Sequence, residues 1–201
     1  MTTSNTPEIL DVRENILATG QRIMAGKGFS AVGLNEILLT AGVPKGSFYH
    51  YFSSKDAFGE AMLHSYFEAY VAELEQTLSQ PGKTMAQRLL SYFEVWQNTQ
   101  SFYDCQGKCL AVKLGAEVAD LSEAMRLELK RGTAAIVEHL AGAIAAGVKE
   151  GSLAVDETPE CAAQSLYQLW LGASLMVKIV RTLHPFESAM LSTRKILQLS
   201  E

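Results

Sequence analysis

Cysteine is scarce in this chain of 201 residues, which has three: Cys105, Cys109 and Cys161. An odd number without regular spacing excludes the disulfide framework of a small secreted protein, and the expected compartment is the reducing cytoplasm. A positively charged and then apolar start is missing, with Asp11 and Glu14 near the beginning, so no signal peptide is expected. No apolar run has the roughly 20 residues that span a bilayer. The longest, around Trp170 to Val180, is broken by Gly172, Ser174 and Lys178 and reads as a buried helix, and no membrane partner is expected. Proline is rare, and clusters of β-branched residues are few while Ala, Leu, Glu and Lys recur, which argues against a sheet and for an all-α protein.

Chemistry-bearing signatures are missing as well. There is no Gly-rich phosphate loop, no HExxH pair and no nucleophile elbow, so the chain is not expected to be an enzyme, and a cysteine-dependent enzyme is the weakest reading. His64, His139 and His184 lie scattered among the cysteines without a metal-ligand spacing, so neither a metal nor another cofactor is expected. Excess positive charge is lacking too. The formal net charge is -5, so a nucleic-acid role cannot rest on the overall field and must come from local geometry. The first sixty residues do carry Arg13, Arg22, Lys27, Lys45 and Lys55, beside a comparable number of acids.

What is present is a succession of helices. Thr6-Pro7-Glu8 reads as a cap with Pro at the first helical position, followed by Val12, Ile16, Ile23 and Met24 at helical spacing, and Gly26-Lys27-Gly28 ends that helix. Leu34, Ile37 and Leu38 make the apolar stripe of a short second helix. Ala41-Gly42-Val43 is a tight turn, and Pro44 opens a third helix to about His50. Ser53-Ser54-Lys55-Asp56 has the form of a capping box, a serine three residues ahead of an acid, and starts a long helix through Leu78 that Pro81-Gly82 stops. Further helices are expected at about 84 to 103, 107 to 118, 121 to 150 and 159 to 182, with a last one from Pro185. The expected division is a three-helix unit over 1–52 and a larger helical domain over 53–201.

The third helix has the features of a major-groove reader, which needs short side chains toward base edges and longer polar groups on its flanks for phosphates. Gly46 permits close backbone approach, Lys45 and Ser47 are placed to donate, and Tyr49 and His50 carry polar tips. Lys55 opens the fourth helix, where its charge and the helix N-terminal amides could meet a phosphate. Phe48 and Phe52 read as core, whereas Tyr49 reads as surface.

The run Gly42-Val43-Pro44-Lys45-Gly46-Ser47-Phe48-Tyr49-His50-Tyr51-Phe52-Ser53-Ser54-Lys55, preceded by Gly33-Leu34-Asn35-Glu36-Ile37, closely resembles the signature of the TetR family of transcriptional repressors. The resemblance implies a TetR-like fold, an N-terminal helix-turn-helix followed by a helical ligand-binding and dimerisation domain, and a homodimer on double-stranded operator DNA. It implies DNA contacts at Lys45, Ser47, Tyr49 and Lys55, with His50 as an extra. Pro44 departs from the commoner serine and removes one phosphate donor.

Farther along, Gly107-Lys108-Cys109-Leu110-Ala111-Val112-Lys113-Leu114-Gly115-Ala116-Glu117-Val118, then Asp120-Leu121-Ser122, and Leu169-Trp170-Leu171-Gly172-Ala173 with Lys178, resemble the NemR-type repressors of that family. That resemblance implies a sensor of reactive electrophiles or oxidants in which Cys109 is modified and Lys178 interacts with it. A thiol near a helix start with Lys108 and Lys113 close by is expected to have its thiolate favoured. The competing reading is a buried structural cysteine. Cys105 is a candidate resolving thiol, and Cys161, inside an apolar-periodic helix, reads as core. Lys178 either snorkels outward or, as the resemblance implies, lies partly buried near the sensing cysteine. The helix around Trp170 to Val180 and the last helix resemble the pair that forms a four-helix dimer interface. An alternative inducer is a noncovalent apolar or aromatic ligand in a pocket of Phe93, Trp96, Phe102 and Tyr103.

Overall fold

The computed structural model describes residues 12–99 and 109–199. Among these there are nine helices and no strand: α1 (Val12–Lys27), α2 (Leu34–Ala41), α3 (Lys45–Tyr51), α4 (Lys55–Leu78), α5 (Met85–Thr99), α6 (Leu110–Leu121), α7 (Glu123–Glu150), α8 (Pro159–Val180) and α9 (His184–Ile196). The cap expected at Thr6-Pro7-Glu8 lies outside the described residues, as do Cys105, Phe102, Tyr103 and Lys108.

Local chemistry sets most boundaries. Gly42 closes α2 in the left-handed region (φ 68°), where a residue without Cβ carries no steric cost, and its N–H reaches back to the Leu38 and Leu39 carbonyls. Pro44 caps α3 from an extended conformation, one residue ahead of the first helical position. The start of α4 differs from the expected box. Ser54, not Ser53, is the cap, and its hydroxyl accepts from the Ala57 N–H, so no acid stands at the third helical position. Thr158 caps α8 in the same way, accepting from the Cys161 N–H.

α4 packs against α1 at its start and against α5 and α7 farther on, so one rigid helix joins the two parts of the chain. At Gly132 of α7 a Cβ would fall 2.0 Å from the Phe67 ring, so the fully buried Phe67 takes the place of a side chain on α7. α7, α8 and α9 stack in order, and two buried indole hydrogen bonds hold α8 to its neighbours: Trp170 Nε1 donates to Thr193 Oγ1 on α9 (2.9 Å), and Trp96 Nε1 on α5 donates to Ser174 Oγ (2.9 Å).

Two expectations are corrected here. The end of α8 is buried on one side only: Trp170, Ala173, Ser174 and Val177 face the core, while Leu175, Met176, Ile179 and Val180 are exposed, Ile179 at 62%. The run is apolar because both faces meet apolar surface or are left to meet it. Cys161 is exposed rather than core, because it sits in the first turn of α8, ahead of the first buried residue, Ala162. No helix among the described residues is long and apolar enough to cross a membrane.

Candidate nucleic-acid interface and cysteine chamber

α3 is seven residues long, and one of them holds it in place. Phe48 is fully buried, with its ring 5.2 Å from that of Phe52 and 5.6 Å from that of Phe58. With that residue inward, Lys45, Gly46, Tyr49 and His50, at positions i, i+1, i+4 and i+5, are left on the exposed face. Tyr49 is 53% exposed, and the Lys45 ammonium lies 5.9 Å from its ring centroid. Ser47 is half-buried at the edge of this face. Space is open where a Cβ of Gly46 would point, so the backbone there is bare.

Lys55 is placed differently. Its ammonium donates to the Phe29 carbonyl (2.8 Å) and sits 4.5 Å from the Phe29 ring centroid. Burial lowers its pKa, against the attraction of Glu117 and Asp56. Lys27 pairs with Glu36 (2.6 Å), so it too has a partner within the protein.

The loop after α1 is also held by a helix far along the chain, α6, which packs against α1. Glu117, on α6, accepts from the Phe29 N–H through one carboxylate oxygen (3.0 Å) and from the Ser30 N–H through the other (2.7 Å). Partial burial works against the charge, but the bonds from Ser30 and Phe29, with Lys113 nearby, hold its pKa below the ordinary carboxylate range.

Cys109 caps α6 and is 4% exposed. Burial raises the pKa of its thiol. The Val112 N–H, the Tyr66 hydroxyl, the Ala111 N–H and the positive charge of half-buried Lys178 act in the opposite direction without overcoming it. The expectation of a thiolate favoured at rest is thus corrected: the helix-start amides and a lysine charge do act on the sulfur, yet the desolvation cost wins. The Lys178 charge acts on the Cys109 sulfur from a distance, as the weakest of these influences; Cys105 lies outside the described residues.

The thiol borders a cavity of about 470 Å³ between α1, α4, α5 and the start of α6, whose inner wall includes Tyr66, Tyr70, Tyr92 and Trp96. Tyr70 and Tyr92 share a hydroxyl–hydroxyl hydrogen bond (2.9 Å). Burial drives the pKa of Tyr66, Tyr70, Tyr92 and Tyr167 upward, so all four phenols stay protonated at neutral pH. Of the pocket expected from sequence, Trp96 lines this cavity. Phe93 does not: it is fully buried, stacked on Trp170 at 4.8 Å. The tyrosines were missed because each falls on an ordinary core position, and only their convergence, from α4 and α5, marks them out.

Residues 16–62 match the family described as bacterial regulatory proteins, tetR family, and residues 86–192 match the tetracyclin repressor-like C-terminal domain. The chain belongs to the TetR family. It is a transcriptional regulator of that family, 42% identical over 187 residues to the HTH-type transcriptional repressor NemR of Escherichia coli (strain K12), an alignment that covers 93% of this chain and 94% of the relative. It is 33% identical to the HTH-type transcriptional repressor DhaR of Mycobacterium sp. (strain GP1), over 88% and 87% of the two chains. The crystal structure of Escherichia coli NemR in its reduced form superposes with a TM-score of 0.88 at 43% identity, covering 93% of this chain and 97% of that one. The all-α fold is therefore TetR-like.

Proposed function

We propose that this TetR-family regulator is a homodimeric repressor that binds operator DNA through α3 and is released when a reactive electrophile or oxidant modifies Cys109. The supporting observation is the pairing of two features: an exposed polar α3 face on a buried Phe48 anchor, and a thiol at a helix start beside a cavity with Lys178 nearby. Lys45, Ser47, Tyr49 and His50 take phosphate and base contacts, and Lys55 contributes from the start of α4. The division near residue 52 separates this reader from the sensing and dimerising part. The partner is a second copy. Leu175, Met176 and Ile179 of α8 and Leu191 of α9 expose an apolar face that a two-fold mate would cover. The chain acts in the cytoplasm as a regulator, not as an enzyme, in keeping with the repressors it resembles.

In the resting state the buried thiol is mostly protonated, and the small reactive fraction is stabilised by the α6 amides, Tyr66 and the Lys178 charge. An adduct on sulfur has to occupy the adjoining cavity, whose walls include Ala18 and Ala25 of α1, so modification presses on the helix that supports the DNA reader. A small rotation between the two α3 copies then spoils the spacing of the half-sites.

The test is operator binding on DNA from upstream of the protein's own gene, with and without N-ethylmaleimide or hypochlorite, in the native protein and in Cys109→Ser. Loss of binding in the native protein alone supports thiol sensing. Release that persists in Cys109→Ser removes the thiol and favours a noncovalent inducer, and absence of operator binding removes the repressor reading.

A further inference from the structure

We propose that the cavity beside Cys109 is a reversible binding site for a neutral, planar molecule carrying a carbonyl oxygen, anchored by the Tyr70–Tyr92 hydroxyl pair whether or not the thiol reacts. The proposal rests on the reading above for the cavity as the inducer's seat, but not for the chemistry of the cysteine.

The donor count carries the argument. Tyr70 and Tyr92 bond to each other across 2.9 Å, and whichever donates, one hydroxyl proton of the two remains to be given to a third atom. Because burial keeps these phenols protonated, the site offers a hydrogen rather than asking for one, and a carbonyl oxygen is the neutral acceptor that suits it. The Tyr66 hydroxyl is already directed at the Cys109 sulfur, so it does not compete for this role.

The walls select shape. Tyr70 and Tyr92 stand at steep angles to the Trp96 ring, with centroids 6.5 and 5.8 Å away, so three aromatic rings converge on the cavity wall and favour a flat guest over a branched one. A volume of about 470 Å³ falls in the usual range for small-molecule sites. Arg22 and Glu73, both exposed at the rim, carry opposite charges and favour neither sign. An ion entering beyond them would lose its hydration to neutral phenols, which a neutral ketone avoids. The same guest would touch Ala18 and Ala25 of α1, so occupancy alone reaches the DNA-binding part.

The test uses Cys109→Ser protein, in which no thiol chemistry is available at this position. It is titrated with 1-indanone, an aryl ketone without a conjugated alkene, and with indane, the same bicycle with CH₂ in place of C=O, following tryptophan fluorescence. Saturable binding is expected for the ketone, about tenfold tighter than for the hydrocarbon, the worth of one buried hydrogen bond. Tyr70→Phe or Tyr92→Phe alone leaves one hydroxyl free to donate and keeps most of that preference. The double variant loses it, the ketone falling to the level of the hydrocarbon. Equal binding of the two compounds before any tyrosine is changed overturns the proposal, as does a single variant that abolishes the preference or a folded double variant that keeps it. Thiol sensing fails on another result, release by N-ethylmaleimide in Cys109→Ser, so the two readings fall separately.

Discussion

The α3 face comes from seven consecutive residues, whereas the chamber at Cys109 takes its walls from α1, α4, α5 and the start of α6. In α3 the side chains proposed to meet DNA, Lys45, Tyr49 and His50, are exposed, and a single buried residue, Phe48, anchors the helix to the core. In the chamber the groups proposed to act are themselves core: Cys109, Tyr66, Tyr92 and Trp96 are all buried. Function and stability are therefore separable in the first region and entangled in the second. A substitution on the α3 face should alter DNA binding and leave the fold alone, while one in the chamber alters both.

The sharpest way to break that contrast is inside α3. Phe48→Ala removes a ring packed between Phe52 and Phe58 and is expected to cost about 3–5 kcal/mol of unfolding free energy. At the next position, which faces outward, Tyr49→Ala should change stability by less than about 0.5 kcal/mol. On the proposed function it should weaken operator binding by about 1–3 kcal/mol. Urea unfolding and operator titration of both variants decide the matter. Comparable losses of stability in the two would mean that the exposed face also holds the fold together.

In the chamber the entanglement shows as a pH dependence. The Cys109 thiol is pushed upward, first by burial, so the reactive thiolate is a minor species at neutral pH. Its alkylation rate should climb about tenfold per pH unit from neutrality, and keep climbing where an unperturbed thiol, with a pKa near about 8.5, levels off. Removing the Lys178 charge with Lys178→Met should slow the reaction at any fixed pH, since that charge opposes the burial effect. Mass-spectrometric alkylation rates across pH 6 to 9 (roughly the range that brackets a free thiol) check both. A plateau near the free-thiol value would show that the sulfur is open to water.

The same difference explains what could be read from the sequence. The helix-turn-helix is written locally: Gly42 ends one helix, Pro44 and Lys45 begin the next, and the aromatic order Phe48-Tyr49 separates inside from outside within two residues. The chamber has no local signature. Tyr66, Tyr70 and Tyr92 occupy helical positions that look like any other core, and they meet Cys109 only once α4 and α5 pack. Phe93 was legible as apolar but not as a stacking partner of Trp170, because Trp170 lies on α8. Cys161 misled for the converse reason. Its helix is periodic and apolar, yet the periodicity does not say that the first turn projects beyond the core.

The two regions meet at Glu117, whose carboxylate takes the Phe29 and Ser30 amides while its helix begins at Cys109, about 12 Å away along the axis. Glu117→Gln keeps the shape but supplies only one acceptor oxygen, so one of the two amides loses its partner, at a cost of about 1 kcal/mol on this half-exposed site. On the proposed mechanism Cys109 should be alkylated at an unchanged rate, while the ratio of operator affinities before and after alkylation shrinks by several-fold. The native link should also have a defined pH range. Because the folded pKa of Glu117 lies below its unfolded value, the contribution is complete at neutral pH and is lost only as pH falls through that lowered pKa. An unchanged affinity ratio in Glu117→Gln would place the connection elsewhere, along α4, whose single span from Lys55 to Leu78 touches both the α3 anchor at Phe58 and the chamber at Tyr66.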